Sequence, residues 1–157
     1  GVTGVQTCAL PISLNVLSNA TAIIRDQPVD AWRKSSFTAG ELQDSNVSGD
    51  LANPDGDSLA NLMEYALGLS PKVANGNAFA PRIEAGYFTL TYTRNKAAMD
   101  VALTLEHSEN LGPWQNEPAL FQEISRVDLG LTEEITVRLA APVGATATYV
   151  RLKATRL

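Results

Sequence analysis

Asn53-Pro-Asp-Gly-Asp-Ser-Leu-Ala-Asn-Leu-Met-Glu-Tyr-Ala-Leu-Gly-Leu-Ser-Pro71 is the stretch on which the fold turns. In its second half Leu59, Leu62, Met63, Ala66 and Leu67 recur at i, i+3, i+4, i+7 and i+8, which predicts a helix over 58–67 with one core-facing stripe. Gly68 falls just past its end, where a left-handed residue is wanted. Leu69 can fold back in apolar contact there, and Pro71 blocks continuation. Working upstream, Pro28 opens a short helix with Val29 and Trp32 on one side. Thr38-Ala-Gly-Glu41 has the form of a capping box and predicts a second short helix through Leu42. Downstream of the turn-rich Asn75-Gly-Asn77 the period changes to two. Tyr87–Thr93, Val101–His107, Glu134–Leu139 and Thr148–Ala154 alternate as strands, with Ile83–Ala85 and Phe121–Val127 as weaker candidates. The expected class is α+β: short helices and a loop–helix unit over 28–72, then a small antiparallel β-sandwich over 78–157.

The first half of the opening stretch is polar and regularly spaced. Counted from Asn53, oxygen-bearing side chains stand at positions 1, 3, 5, 9 and 12: Asn53, Asp55, Asp57, Asn61 and Glu64. Position 7, Leu59, offers its carbonyl. This is the ligand schedule of an EF-hand loop, which gives a hard cation a shell of oxygens closed by a bidentate glutamate, so the expected cofactor is Ca²⁺. Two departures point to weak binding, on the order of 10⁻⁴ to 10⁻³ M. Asn53 lacks the charge of an aspartate. Ser58 stands at position 6, where a glycine with positive φ is usual and a side chain costs about 1 kcal/mol. The plainer alternative is a polar turn in which Asp57 or Ser58 merely caps the helix.

Charge supports the cation. Residues 25–64 carry eight acids against three bases, whereas nine of each follow from Tyr65 onward, so the whole formal excess of -5 lies around the loop. A net acidic chain argues against nucleic-acid binding. With 45% hydrophobic and 18% charged residues, the 157-residue chain has a globular rather than a disordered composition and can bury a core. The single cysteine excludes a disulfide framework, and no apolar run is long enough to span a membrane. A catalytic constellation is also missing. His107, the only histidine, reads as a surface or loop residue. Its neighbours Glu106 and Ser108 point to the opposite face of a strand, and no phosphate-binding, nucleophile-elbow or His/Cys metal motif occurs. The expectation is that the chain is not an enzyme.

Several short signatures then fall in a recognisable order: Ala31-Trp-Arg, Phe37-Thr-Ala, Val47-Ser-Gly49, Ala52–Asp57, Asn61–Pro71, Leu105–Trp114 and Tyr149-Val-Arg-Leu152. Together they resemble a C-terminal module of large secreted or surface proteins from planctomycete- and verrucomicrobia-type bacteria, over about residues 29–157. The loop itself is similar to dockerin and thrombospondin-type calcium loops. The resemblance implies only a module appended to a larger exported protein, extracellular or at the cell surface, whose partners are upstream domains of the same polypeptide. With no catalytic constellation in the sequence, the expected role is a non-catalytic structural or anchoring one. It assigns the ligand roles to Asn53, Asp55, Asp57, Asn61 and Glu64. The alternative is a carbohydrate- or surface-binding sandwich appended to an exported enzyme, with Trp32, Trp114, Tyr87, Tyr92 and Tyr149 as a sugar platform.

The run Val2–Ile12 resembles the conceptual translation of a short-read sequencing adapter, so residues 1–13, with Cys8, are set aside from the fold. Leu14–Ile24 reads as a strand ending an upstream domain, with 14–27 as its end or a linker. Any export signal is expected further upstream.

Overall fold

The computed structural model describes residues 26–76, 78–144 and 148–157; the expectations for residues 1–25 lie outside them. Among the described residues, three short α-helices precede six antiparallel strands. They are α1 (Pro28–Ser36), α2 (Ser45–Ser48), α3 (Asn61–Leu67), β1 (Phe79–Glu84), β2 (Tyr87–Asn95), β3 (Val101–Ser108), β4 (Phe121–Asp128), β5 (Thr132–Leu139) and β6 (Tyr149–Arg156). The strands form a four-stranded sheet in the order β1-β2-β5-β4 and a two-stranded sheet of β3 with β6. No helix of the described residues is long and apolar enough to cross a membrane.

The two sheets face one another. Leu90, Tyr92, Ile135 and Val137 from the larger sheet share one apolar cluster with Leu103, Leu105 and Leu152 from the smaller. This is the small α+β sandwich that the alternating strands imply. β1 starts earlier than the alternation suggests, at Phe79, and takes in Pro81, which an edge strand tolerates.

Helix α3 joins the helical lead-in to the sandwich. Leu62, Tyr65 and Ala66 pack with Val29 of α1 and with Ala98 and Val101, while Leu59 and Leu67 enter the sandwich core. Burial of the helix extends beyond the apolar stripe, since Asn61, Leu62, Glu64, Tyr65, Ala66 and Leu67 are all buried. The helix begins at Asn61, three residues later than its periodicity suggests. The reason is local: the Leu59 N–H bonds to the Asp57 carboxylate, and the Asn61 and Leu62 N–H groups go to the carbonyls of Ala52 and Asp50. Backbone from the preceding turn thus satisfies the orphan donors of the first helical turn.

The Thr38–Glu41 box forms as expected, the Glu41 carboxylate accepting from the Thr38 N–H and hydroxyl. It starts only a 3₁₀ turn, Glu41–Gln43. Asp44 is extended and caps α2 instead, accepting from the Asn46 N–H. At the other end of α3, Gly68 has φ 79, with Leu69 N–H bonded to the Glu64 carbonyl and Gly68 N–H to that of Tyr65, a Schellman closure. A Cβ on Gly68 would stand 2.6 Å from Thr132 Cγ2. Gly68→Ala is therefore expected to cost about 1–2 kcal/mol, read as a fall of roughly 3–6 °C in Tm. An unchanged Tm would mean the turn relaxes elsewhere.

Candidate metal centre

Asp55 and Asp57 lie in the loop and Glu64 on α3, and one carboxylate oxygen from each lies within 4.8 Å of the others. Glu64 is fully buried at 0% exposure. Neither of its oxygens has a hydrogen-bond partner, nor has Asp55 Oδ2. Asp55 Oδ1 accepts from the Asp57 N–H at 3.2 Å, and Asp57 Oδ2 accepts from the Asn75 N–H at 2.8 Å. Burial first, then the neighbouring charges of Asp55 and Asp57, push the Glu64 carboxyl up to about 7.

The other acids of the lead-in are accounted for. Asp26 pairs with Lys34, Asp30 with Arg33 and Arg156, Glu41 with Lys72, and Asp50 with both Arg33 and Arg156. Asp44 caps α2. What remains of the acidic excess is Asp55, Asp57 and Glu64, and among the described residues none of these has a lysine or arginine within 4.0 Å. A buried carboxylate with neither donors nor a counter-charge is costly. Hard oxygens gathered this closely form a donor set that suits a small divalent cation.

The remaining sequence candidates occupy definite places. Asn53 is exposed, and its amide is engaged inside the loop. Oδ1 accepts from the Gly56 N–H at 3.0 Å, and Nδ2 donates to the Asp57 carbonyl. Asn61 is 1% exposed and spans outward from α3, its Nδ2 donating to the carbonyls of Val47 at 2.9 Å and Gly49 at 2.8 Å. Its Oδ1 is buried without a partner. Asn61 and Glu64, three residues apart, share one helix face. Leu59 buries its side chain in the core at 5% exposure, and its carbonyl takes no hydrogen bond from the described residues.

Two expectations about the loop are corrected. Positive φ falls at Gly56, with φ 77, and not at Ser58, so the strain assigned to Ser58 does not arise. The helix-cap alternative also fails, because Ala60 is the N-cap residue and no side chain caps α3. Sequence reasoning missed two supports: Asn75, which holds Asp57, and Asp50, which ties α1 and β6 to the start of α3. Neither carries a local signal, since each partner is distant in sequence.

His107 is not the surface or loop residue expected. It continues the inward row of β3 after Leu103 and Leu105, its side chain is 12% exposed, and Nε2 lies 3.7 Å from a Glu117 oxygen. Glu106, on the opposite face, is held by Arg151 and Lys153. Ser108 is buried, and its hydroxyl accepts from the Asn110 N–H at 3.3 Å. No family model matches the chain, and comparison with curated proteins and with solved structures likewise gives no match.

Proposed function

We propose that the Asn53–Glu64 loop binds one calcium ion, and that the chain is a non-catalytic structural or anchoring module of an exported protein. The observation that carries the reading is Glu64, a fully buried carboxylate with both oxygens unpartnered, beside Asp55 and Asp57 and with no lysine or arginine within 4.0 Å among the described residues. Asp55, Asp57 and Glu64 would hold the ion. The side-chain oxygens of Asn53 and Asn61 and the Leu59 carbonyl would complete the shell at the remaining EF-hand positions. Calcium fits such a flexible shell of oxygens better than magnesium, which prefers a tight octahedron that keeps several waters.

With the strain at Ser58 removed, weak affinity rests on the missing charge at Asn53 and on the lack of a second acidic cluster among the described residues to pair with this loop. A dissociation constant on the order of 10⁻⁴ to 10⁻³ M suits an extracellular or cell-surface setting, as the resemblance to bacterial surface modules implies. Calorimetric titration of the metal-free chain with calcium should give one site in that range. A flat titration up to about 10 mM would overturn the reading.

The surroundings of Glu106, His107 and Ser108 favour a module that performs no chemistry, since ion pairing and burial separate the three. Of the five aromatic candidates for a sugar platform, Tyr149 is exposed, while the other four favour a structural role. Tyr92 is in the core. Trp32 packs on Phe37 and Tyr65 at ring separations of 6.2 and 5.3 Å. Arginines cover Tyr87 and Trp114, at 4.7 Å for Arg138 and 4.3 Å for Arg151. Upstream domains of the same polypeptide are the partners this reading implies.

A further inference from the structure

Residues 69–76 lead from α3 towards β1 and belong to no helix or strand. The segment is anchored at its start, where Leu69 packs on the sandwich core and its N–H donates to the Glu64 carbonyl at 2.8 Å. In the middle, Lys72 Nζ lies 2.7 Å from Glu41 Oε2 and 5.3 Å from the centre of the Phe37 ring. Both side chains of that ion pair reach solvent, which screens such pairs and leaves them weak. Near the end, the Asn75 N–H donates to Asp57 Oδ2 at 2.8 Å. Between these two holds Val73 is 60% exposed, and its N–H meets the Ser70 carbonyl at 3.3 Å.

Asp57 belongs to the candidate metal centre as well as to this segment. Its carboxylate stands with those of Asp55 and Glu64, one oxygen of each within 4.8 Å of the others. Glu64 is fully buried with neither oxygen hydrogen-bonded, which sets the centre apart from a surface cluster of acids. Without a cation the three carboxylates repel one another, so Asp57 is a less fixed acceptor for Asn75. A group that orients a metal-bound carboxylate typically changes metal affinity by about 10–100-fold. Such coupling is reciprocal, so a bound ion strengthens the hold of Asp57 on Asn75 by the same factor.

Resting on the calcium reading of the loop, we propose that Lys72–Val73 is a cleavage site for a protease that cuts after basic residues, and that bound calcium closes it by fixing Asp57 and through it Asn75. A protease takes several residues of its substrate in extended form, so the segment must leave both Glu41 and Asp57 before it is cut. The first hold is weak, and the second is the one the ion governs. Water then adds across the Lys72–Val73 peptide bond, leaving a carboxylate on Lys72 and an amino group on Val73. The cut severs the helices and the metal centre, all before Val73, from the six strands.

Limited digestion of the 157-residue chain with a lysine-specific protease that needs no calcium, read by mass spectrometry beside a calorimetric titration, tests this. In chelator, cleavage after Lys72 should outrun cleavage after Lys153, which pairs with Thr104 and is cut only when the smaller sheet opens. Calcium at about 10 mM should slow cleavage after Lys72 by roughly tenfold or more. In Asn75→Pro, which has no N–H to give Asp57, that slowing should be lost, and the calcium dissociation constant should rise by a similar factor. Continued resistance at Lys153 shows that the variant folds. Cleavage after Lys72 no faster than after Lys153 in chelator would overturn the proposal, as would full slowing in Asn75→Pro. Calcium that binds by calorimetry yet leaves Lys72–Val73 equally open removes the gate alone, whereas a flat titration removes the ion and the gate together.

Discussion

Calcium at about 10 mM is expected to raise the Tm of the metal-free chain by about 5–10 °C at pH 8, and Glu64→Gln to abolish that rise. At 100 times a dissociation constant of about 10⁻⁴ M, binding to the folded state alone contributes about 2.7 kcal/mol, and each kcal/mol shifts Tm by roughly 2–4 °C at this size. The variant gives the expectation a second, opposite sign. In chelator, the native carboxylate is buried near two others with nothing to bond, so Glu64→Gln should make the metal-free chain more stable, by on the order of 2 kcal/mol at pH 8. A residue that merely held the helix in place would lower stability with or without calcium.

The pH dependence follows from the same group. The Glu64 carboxyl is raised to about 7 in the folded chain, above an unfolded value near 4.3, so between those values the folded state holds the extra proton. Stability in chelator therefore falls as pH rises from about 4.5 to 7 and levels off above. Calcium must displace that proton, so its effect on Tm should be large at pH 8 and small at pH 5. A Tm indifferent to calcium at pH 8, or a Glu64→Gln chain that still responds fully, would remove the ion from this loop.

The parts of this fold that sequence reveals are those governed by neighbours a few residues apart. The alternation of β2, β3, β5 and β6, the αL position of Gly68 and the Thr38–Glu41 box are short-range patterns, and each is present. Three differences arise where a distant partner decides. The first turn of α3 is delayed because carbonyls of Ala52 and Asp50 reach its N–H groups. Tyr65 is buried off the apolar stripe because Asp100, 35 residues away, accepts from its hydroxyl at 2.7 Å. His107 turns inward because the larger sheet lies opposite.

The site divides in the same way. The spacing of the Asp55, Asp57 and Glu64 carboxylates is a property of one loop and its helix, so it can be read directly. Which acids of the lead-in lack a basic partner cannot be read, since Arg156 neutralises Asp50 from 106 residues away. Counting charge along the chain places the excess correctly but spreads it over eight acids. Only the folded arrangement concentrates it on three.

Asn61 is where ligand and scaffold readings part, and Asn61→Asp separates them. A ligand valued only for its oxygen should bind calcium more tightly as aspartate, with a fourth negative charge in the shell. The geometry predicts a different outcome, because Asn61 Nδ2 donates to the carbonyls of Val47 and Gly49 from a side chain that is 1% exposed. Aspartate has no proton to give and would set a buried charge against two carbonyls and near other carboxylates. Asn61→Asp should therefore cost about 3–5 kcal/mol in chelator, or roughly 10 °C or more in Tm, with calcium restoring only part of it. Asn61→Ala leaves the two carbonyls without their donors but adds no charge, so about 2–3 kcal/mol is expected. Denaturant unfolding of both variants, with and without calcium, checks the order. If Asn61→Asp matched the unaltered chain in chelator and exceeded it in calcium, the α2 carbonyls would not depend on this amide. Asn61 would then act only through its oxygen. The predicted order instead makes Asn61 the residue that fastens the ion-binding end of α3 to the lead-in, so that calcium bound at Glu64 is felt as far as the turn at Val47 and Gly49.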